Sequence, residues 1–435
     1  MADQLMPDSK RSFLFAHRQF FRLWLGQVTS QAGTRVYQIA IVWWILMISS
    51  ENSGFSLGVF MVAGALPSLL LYKIIGRVVD RMPAKVMLVS CDLASAVLMG
   101  YVAWSLHTET FTLGQAYLFG FLIAVAEGFF NPAITKCLPE LVAEDYLEQA
   151  VAYQASSQYL ASFGGSVLGA MLIAWLGIPL LVLLNAITYV FSAIIEMTLV
   201  FPVAKTAEIN EHSAVQQVEA SELPETVEGA ENIDTSGLWQ KFPLLKKLLV
   251  GFGLVNFFAT PTLVIVPLYV QKSLHGNATV MGLLEAALWV GILLGTFAAA
   301  LVRSRGRTIR LGSLSMVIYG GSMIVPGLLI NAWTFGLALM LAGASLGITN
   351  VKFVTLFQRV VPGPVKGRFF ATMQAIIGFS FPVAYMVFGY LGDLMSPSRV
   401  CLVQATGILL VAMWFYHLSG EEATLIRYAE ASDQA

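Results

Sequence analysis

Charge is what this chain has least of. Lys, Arg, Asp and Glu together make up 12% of its 435 residues, where soluble domains carry roughly 25%. That shortage excludes an ordinary water-soluble globule. Cysteine is scarce too. Cys91, Cys137 and Cys401 lie far apart and lack metal-ligand spacing, so neither a disulfide framework nor a zinc site is expected, and buried inert thiols are. The five histidines, at 17, 107, 212, 275 and 417, are scattered through loops and span ends. None stands at ligand spacing from a carboxylate or thiol. The phosphate-cradling pattern Gly-x-x-x-x-Gly-Lys-Ser/Thr is missing, which argues against ATP-driven work by this chain alone. No intramembrane His-Asp or Ser-His pair has useful spacing, so a membrane enzyme is not expected. A cleavable signal peptide is not expected either, because Asp3, Asp8, Lys10, Arg11, Arg18 and Arg22 leave no clean apolar core before a cleavage site. Net charge is −1, without a basic-aromatic pattern. No cofactor, metal or nucleic-acid partner is therefore expected.

What the chain has is long apolar runs. Hydrophobic residues make up 57% of it, in runs long enough to cross a hydrocarbon core about 30 Å thick. Lipid offers no partner to backbone groups, so only helices or closed barrels can cross. Barrel strands would alternate with period two, and these runs do not. The expected fold is an all-α membrane protein with twelve transmembrane helices in two six-helix pseudo-symmetric halves. The spans fall near 20–48, 55–79, 85–106, 112–136, 149–175 and 179–201, then 246–271, 279–302, 310–330, 333–358, 367–394 and 398–418. The expected units are an amino-terminal half over 1–201, a linker over 202–245, a carboxy-terminal half over 246–418 and a tail over 419–435. The linker is acidic, with Glu208, Glu211, Glu219, Glu222, Glu225 and Glu228 among its residues, and reads as mostly disordered. Residues 237–248 have the pattern of a short amphipathic helix.

Lys and Arg are distributed unevenly. Placing the amino terminus inside puts Arg77, Arg81, Lys85, Lys136, Lys246, Lys247, Arg307, Arg310, Lys366 and Arg368 on the cytoplasmic side, and Lys272 and Arg399 outside. By the positive-inside rule, both termini and the linker are expected in the cytoplasm, with the protein in the cell (inner) membrane as a monomer. The halves also share a faint symmetry. Gln154 and Gly169 of span 5 keep the separation of Gln374 and Gly389 of span 11, and Pro139 ends span 4 as Pro362 ends span 10. Parallel repeats of this kind place a substrate between them near the midplane.

A charged knot interrupts the apolar runs between spans 2 and 3: Gly76-Arg77-Val78-Val79-Asp80-Arg81-Met82-Pro83-Ala84-Lys85. This Gly-x-x-x-Asp-Arg turn with a following base resembles the signature loop of the major facilitator superfamily of transporters. Further stretches resemble the drug:proton antiporter branch that includes macrolide and siderophore exporters. They are Phe20-Phe21-Arg22-Leu23-Trp24 with Gly26-Gln27, Ser30-Gln31 and Gly33, Phe129-Phe130-Asn131-Pro132-Ala133 with Leu138-Pro139-Glu140-Leu141-Val142, and Gly367-Arg368-Phe369 with Gly389 to Asp393. The chain departs from the family at Pro83 and Ala84, which replace its second glycine and following base, and at Gly164-Gly165, which replaces Gly-Pro. The resemblance implies that the loop latches the outward-facing state on the cytoplasmic side. Gly76 would allow a close approach, Asp80 would face Lys366 and Arg368 at the start of span 11, Arg81 would meet Glu140, and Lys85 completes the motif. A solvated loop that only obeys the positive-inside rule is the plainer alternative.

Polar residues inside the spans are the cavity candidates. Gln27, Ser30, Gln31, Thr34, Arg35 and Gln38 share a face of span 1. That face either lines a wet cavity or hydrogen-bonds within the bundle. Arg35 needs a carboxylate, water or an anionic ligand, and the carboxylates available are Glu127, Glu285 and Asp92. Glu127 and Asn131 share a face, as do Glu285 and Trp289. One expectation is that Arg35 pairs with Glu127 and that protonation or substrate breaks the pair; a fixed structural pair is the other. Asp92 is expected at the cytoplasmic gate. Gln154, Gln158, Asn256, Asn350 and Gln374 complete the candidates, and Asn256, Thr260 and Pro261 read as an interruption of span 7. Lys352 lies close enough to the inside to snorkel. The expected activity is secondary active transport by alternating access, with a small-molecule substrate, a coupling ion (a proton) and the lipid bilayer as partners. Export of a bulky amphiphile such as a siderophore or drug is the leading reading. A lysophospholipid flippase and a transport-inactive sensor are the alternatives.

Overall fold

The computed structural model describes residues 13–49, 51–143, 146–200, 243–302, 304, 306–361 and 363–422. The acidic linker up to residue 242, with the first half of the proposed amphipathic helix over 237–248, lies outside the described residues. So do Arg303, Arg305, Pro362 and the tail from 423. Among the described residues the secondary structure is helical: α1 Phe13–Ala16, α2 Arg18–Ile48, α3 Ser53–Leu70, α4 Tyr72–Arg81, α5 Ala84–His107, α6 Leu113–Leu141 and α7 Leu147–Met197, then α8 Pro243–Ala259, α9 Thr262–Lys272, α10 Ala278–Leu301, α11 Thr308–Leu328, α12 Ala332–Val360, α13 Gly363–Leu394 and α14 Pro397–Leu418, with a closing 3₁₀ turn Ser419–Glu421.

Ten helical segments among the described residues are long and apolar enough to cross a membrane, against the twelve spans expected. Of α7, they include Met171–Met197. α2 falls short of that apolarity because of Gln27, Gln31, Arg35 and Gln38, although at 1.5 Å per residue its 31 residues can still cross a core of about 30 Å.

Local chemistry sets the breaks. Gly177 sits at φ 72, ψ 166 inside α7, a backbone state that glycine alone adopts readily, and it divides spans 5 and 6. Span 7 breaks into α8 and α9 at Thr260-Pro261, as its sequence predicts. The run 55–79 is not one helix, however. It stops at Leu70, after Pro67 has removed a backbone donor, and resumes as the amphipathic α4, of which only Ile75 and Val79 are buried. Pro139 does not end span 4 either, because α6 runs on to Leu141. Asn277 and Asn331 cap α10 and α12 with their side-chain oxygens. The Glu422 carboxylate, reaching back from beyond α14, accepts from the N–H groups of Thr308 and Ile309 at the start of α11. Burial pushes that carboxyl above the ordinary glutamate range, and the two donors pull against it.

Within the amino-terminal helices, α2 and α5 pack along α7; within the carboxy-terminal ones, α10 packs along α12 and α11 along α14. The two sets meet chiefly where α3 lies on α13 and α7 on α10. Small residues make the closest approaches. A Cβ at Gly295 would stand 2.0 Å from the carbonyl oxygen of Ala344, and one at Gly291 2.1 Å from that of Met340. Backbone cannot move aside as a side chain can. Gly295→Leu is therefore expected to destabilise by about 3 kcal/mol, the upper part of the usual overpacking range. A thermal melt in detergent checks this, and an unchanged midpoint would refute the packing argument.

Candidate functional site

Two adjoining cavities lie between the helix sets. One, of about 250 Å³, is lined by Arg35, Gln38, Phe60, Glu127, Glu285 and Tyr385 among others. The other, of about 370 Å³, is lined by Gln31, Arg35, Gln38, Asp92, Glu127, Asn131, Gln158 and Trp289 among others. They share Arg35, Gln38, Glu127 and Leu263. Their other α2 residues are Ser30, Gln31 and Thr34 for the second cavity and Tyr37, Ile39 and Val42 for the first. The cavities are thus stacked along the bundle axis, the second nearer the predicted cytoplasmic side.

Arg35 stands at the division. Its Nη2 donates to Glu285 Oε2 at 2.5 Å, Nη1 to Gln38 Oε1 at 3.0 Å, and Nε to Ser166 Oγ at 3.3 Å. The guanidinium carbon lies 5.4 Å from the centre of the Trp289 ring. One cation therefore joins α2, α7 and α10, and crosses from one helix set to the other. The expected partner, Glu127, does not hold it. Arg35 and Glu285 are brought together because α10 presents Glu285 across the interface. Among the described residues, no hydrogen bond or ion pair engages the Glu127 carboxylate, and it faces both cavities.

The other candidates divide. Gln31, Asn131, Gln158 and Trp289 line the second cavity. Gln27 does not line either cavity; it is fully buried with both amide atoms unpartnered. Asn256 bonds back to its own helix at the Phe252 carbonyl. Gln154, Asn350 and Gln374 do not line these two cavities, and Gln374 is exposed. Lys352 is buried and donates to the Val302 carbonyl at the end of α10, where a cation meets the negative end of the helix dipole.

The two ends of the bundle differ. At the predicted extracellular end, the N–H groups of Gly54 and Phe55 donate to Asp393 at 2.8 and 2.7 Å. Lys272 Nζ pairs with the same carboxylate at 2.9 Å, and Gln271 donates to the Leu46 carbonyl. In the sequence Asp393 closes the Gly389 to Asp393 motif but is not among the site candidates, although it and Lys272 are opposite charges on one sparsely charged side. At the predicted cytoplasmic end, no hydrogen bond or ion pair among the described residues joins the two sets. Asp80 makes no ion pair with Lys366 or Arg368, and Arg81 makes none with Glu140. A Cβ at Gly76 would meet nothing within 4 Å, so its absence serves no close approach in this conformation. Lys136 instead ties the loop to α6 through the carbonyls of Val79, Asp80 and Met82, and Lys85 donates to the Leu199 carbonyl.

A polar, charge-bearing cavity between two sets of membrane helices, which among the described residues are crosslinked at the cavity and at one end of the bundle, is the architecture of a secondary transporter. The chain belongs to the Major Facilitator Superfamily, whose sequence profile matches residues 23–385. It is 22% identical to macrolide efflux protein A of Streptococcus pyogenes over 400 residues, covering 91% of this chain and 94% of that one. An uncharacterized MFS-type transporter of Bacillus subtilis (strain 168), YkuC, is 23% identical over 363 residues, with 82% and 81% covered. Among solved structures, the chain resembles a bacterial homologue of the iron transporter ferroportin in an inward-facing state (TM-score 0.69, 15% identity, 94% and 100% covered). It also resembles the nucleoside transporter NupG (TM-score 0.68, 11% identity, 92% and 98% covered). At those identities the structural likeness speaks for the fold alone. This is a multi-pass membrane transporter.

Proposed function

We propose that this transporter exports a bulky amphiphilic small molecule of the drug or siderophore kind across the cell membrane, driven by protons moving inward. Both termini then face the cytoplasm, and the conformation described above is inward-open. The observation that carries the reading is the pairing of an engaged cation with a free carboxylate in one cavity wall. Arg35 is tied to Glu285, while Glu127 beside them has no protein partner. An unpaired carboxylate in an apolar wall is costly when charged, so it favours a proton or a cationic group of the cargo. A first cavity lined mainly by aromatic and aliphatic groups, joined to a second lined mainly by polar ones, suits a ligand of mixed polarity. The similarity to a macrolide efflux protein supports a cargo of that size. The one-ended crosslinking supports alternating access between the two helix sets, which act as the moving units on either side of the linker.

The test is flux in proteoliposomes under an imposed pH gradient, with a macrolide, a siderophore and a lysophospholipid as separate cargoes. Gradient-dependent movement of the macrolide or siderophore is expected. Lysophospholipid movement that ignores the gradient would replace this reading with a flippase. For Glu127→Gln, gradient-driven flux is expected to collapse while exchange without a gradient continues, since the neutral amide mimics the protonated acid. Unchanged gradient-driven flux would remove Glu127 from the coupling role.

A further inference from the structure

A second pair of acids lies outside the Arg35 site. Asp92 of α5 and Glu196 of α7 stand within electrostatic reach of each other, with the Ser192 hydroxyl beside both. Glu196 is fully buried and Asp92 is 2% exposed. Both Glu196 oxygens, one Asp92 oxygen and the Ser192 hydroxyl have no hydrogen-bond partner of good geometry. Gln27 adds an independent sign. It lies one turn along α2 from Leu23, which packs in one cluster with Leu88, Cys91 and Leu199. It is fully buried, and neither amide atom is partnered. Asp92, Glu196 and Ser192 thus carry buried oxygens without a hydrogen bond of good geometry, as Gln27 does on the neighbouring α2, where buried polar groups are ordinarily satisfied.

We propose that Asp92 and Glu196 form a binding site for a single proton, shared between the two carboxyls and reached from the cytoplasmic-side cavity. The electrostatics leave little choice. Two neighbouring carboxylates away from water cannot both remain charged unless a cation joins them, and among the described residues no cationic side chain does. The ion pairs of the described residues lie elsewhere. Lys85, at the start of α5, spends its ammonium on the Leu199 carbonyl. The remaining titratable groups are not cationic either: Cys91 on α5, Cys137 with Glu140 beyond it on α6, and Tyr189 on α7. No cluster of three or more His, Cys, Asp or Glu among the described residues is arranged to hold a metal ion. The site has a door. Asp92 and Cys91 line the larger cavity, together with Glu127, so a proton can leave Asp92 for the water there while Glu196 stays sealed behind it. The step is a reversible protonation of a carboxylate and needs no other reactant.

The site extends the coupling reading above but can be tested apart from it. The purified full-length protein is titrated through neutral pH, and carboxyl protonation is followed by infrared difference spectroscopy. The wild type is expected to give a carboxyl band that converts to carboxylate, and Asp92→Asn/Glu196→Gln is expected to lack that component. Each single variant should convert at lower pH than the wild type, because the surviving acid has lost the like charge beside it. The amides match the acids in size, and gel filtration verifies folding. A double variant that titrates like the wild type would overturn the site. So would loss of the proton on adding sodium at constant pH, which would make the occupant sodium. No outcome requires transport to be observed, so a failed flux assay leaves this result intact.

Discussion

Arg35→Met is expected to abolish transport and to destabilise the protein by about 3–5 kcal/mol, the effect of leaving one member of a buried ion pair alone. The reasons lie in the geometry. The side chains of Arg35 and Glu285 are 15% and 6% exposed, so water screens the pair only weakly. The guanidinium makes three directed hydrogen bonds and covers Trp289, and methionine replaces only the apolar stem. Glu285 is left in a low-dielectric wall without its cation, a state it leaves by taking up a proton or by drawing in water. Glu285→Gln in the same molecule removes the stranded charge. Most of the lost stability should therefore return in the double variant, and the double-mutant cycle should report a large coupling. Transport should not return, because the pair connects the two helix sets and must rearrange as they move. Arg35→Lys keeps the charge but not the planar donor set that reaches Gln38, Ser166 and Glu285 together, so an intermediate loss is expected. Thermal melts and flux assays on the wild type, the two single variants and the double variant of the cycle, and Arg35→Lys check all of this. Full recovery of flux in Arg35→Met/Glu285→Gln would reduce the pair to a structural tie.

Arg35 announces itself in the sequence, because a guanidinium in an apolar run must be answered by something. Glu285 is visible for the same reason. Their pairing is not. The two lie 250 positions apart, and nothing in helical periodicity says which carboxylate α10 or α6 brings opposite α2. Glu127 is the partner expected from the sequence, and only the placing of the helices gives Glu285 instead. Element existence was easier to read, since each apolar run needs a helix to satisfy its backbone in lipid. The break at Leu71 was harder, because the apolar pattern continues through it and only Pro67 marks the site. Glu196 is hidden differently. It sits at the end of a long apolar span, where an acid passes for a boundary residue, and only the packing of α5 on α7 places it beside Asp92. Asp393 likewise reads as a loop charge until α13 is laid along α3.

Asp393→Ala is expected to release the predicted extracellular end and shift the resting population toward the outward-open form by about a hundredfold. Asp393 receives two backbone N–H groups at the start of α3 and the Lys272 ammonium. Hydrogen bonds to a charged group contribute about 1.5–3 kcal/mol, and a charge at a helix N-terminus adds about 0.3–1 kcal/mol. A net differential near 3 kcal/mol corresponds to about two factors of ten. The balance between two transporter conformations is itself only a few kcal/mol, so that loss decides which one dominates. Spin labels at Glu51→Cys and Arg399→Cys, both exposed near this end, report the opening as a longer distance, and an unchanged distribution would refute the clasp. Lys272→Met should give a smaller shift, because Lys272 is 27% exposed and the backbone donors remain. The sharper test lies at the other end of the same helix pair. Asp393 ends α13 and engages the start of α3. Asp80 stands near the end of α4, which follows α3. On the latch expected from the family resemblance, it would take the start of α13 as Asp393 takes the start of α3, and rocking the two sets would bring one contact together as it parts the other. Asp80→Asn removes no ion pair or hydrogen bond of its carboxylate in the present conformation. It should therefore leave the inward-open form intact and deplete the outward-open one, moving the same label distance in the opposite direction.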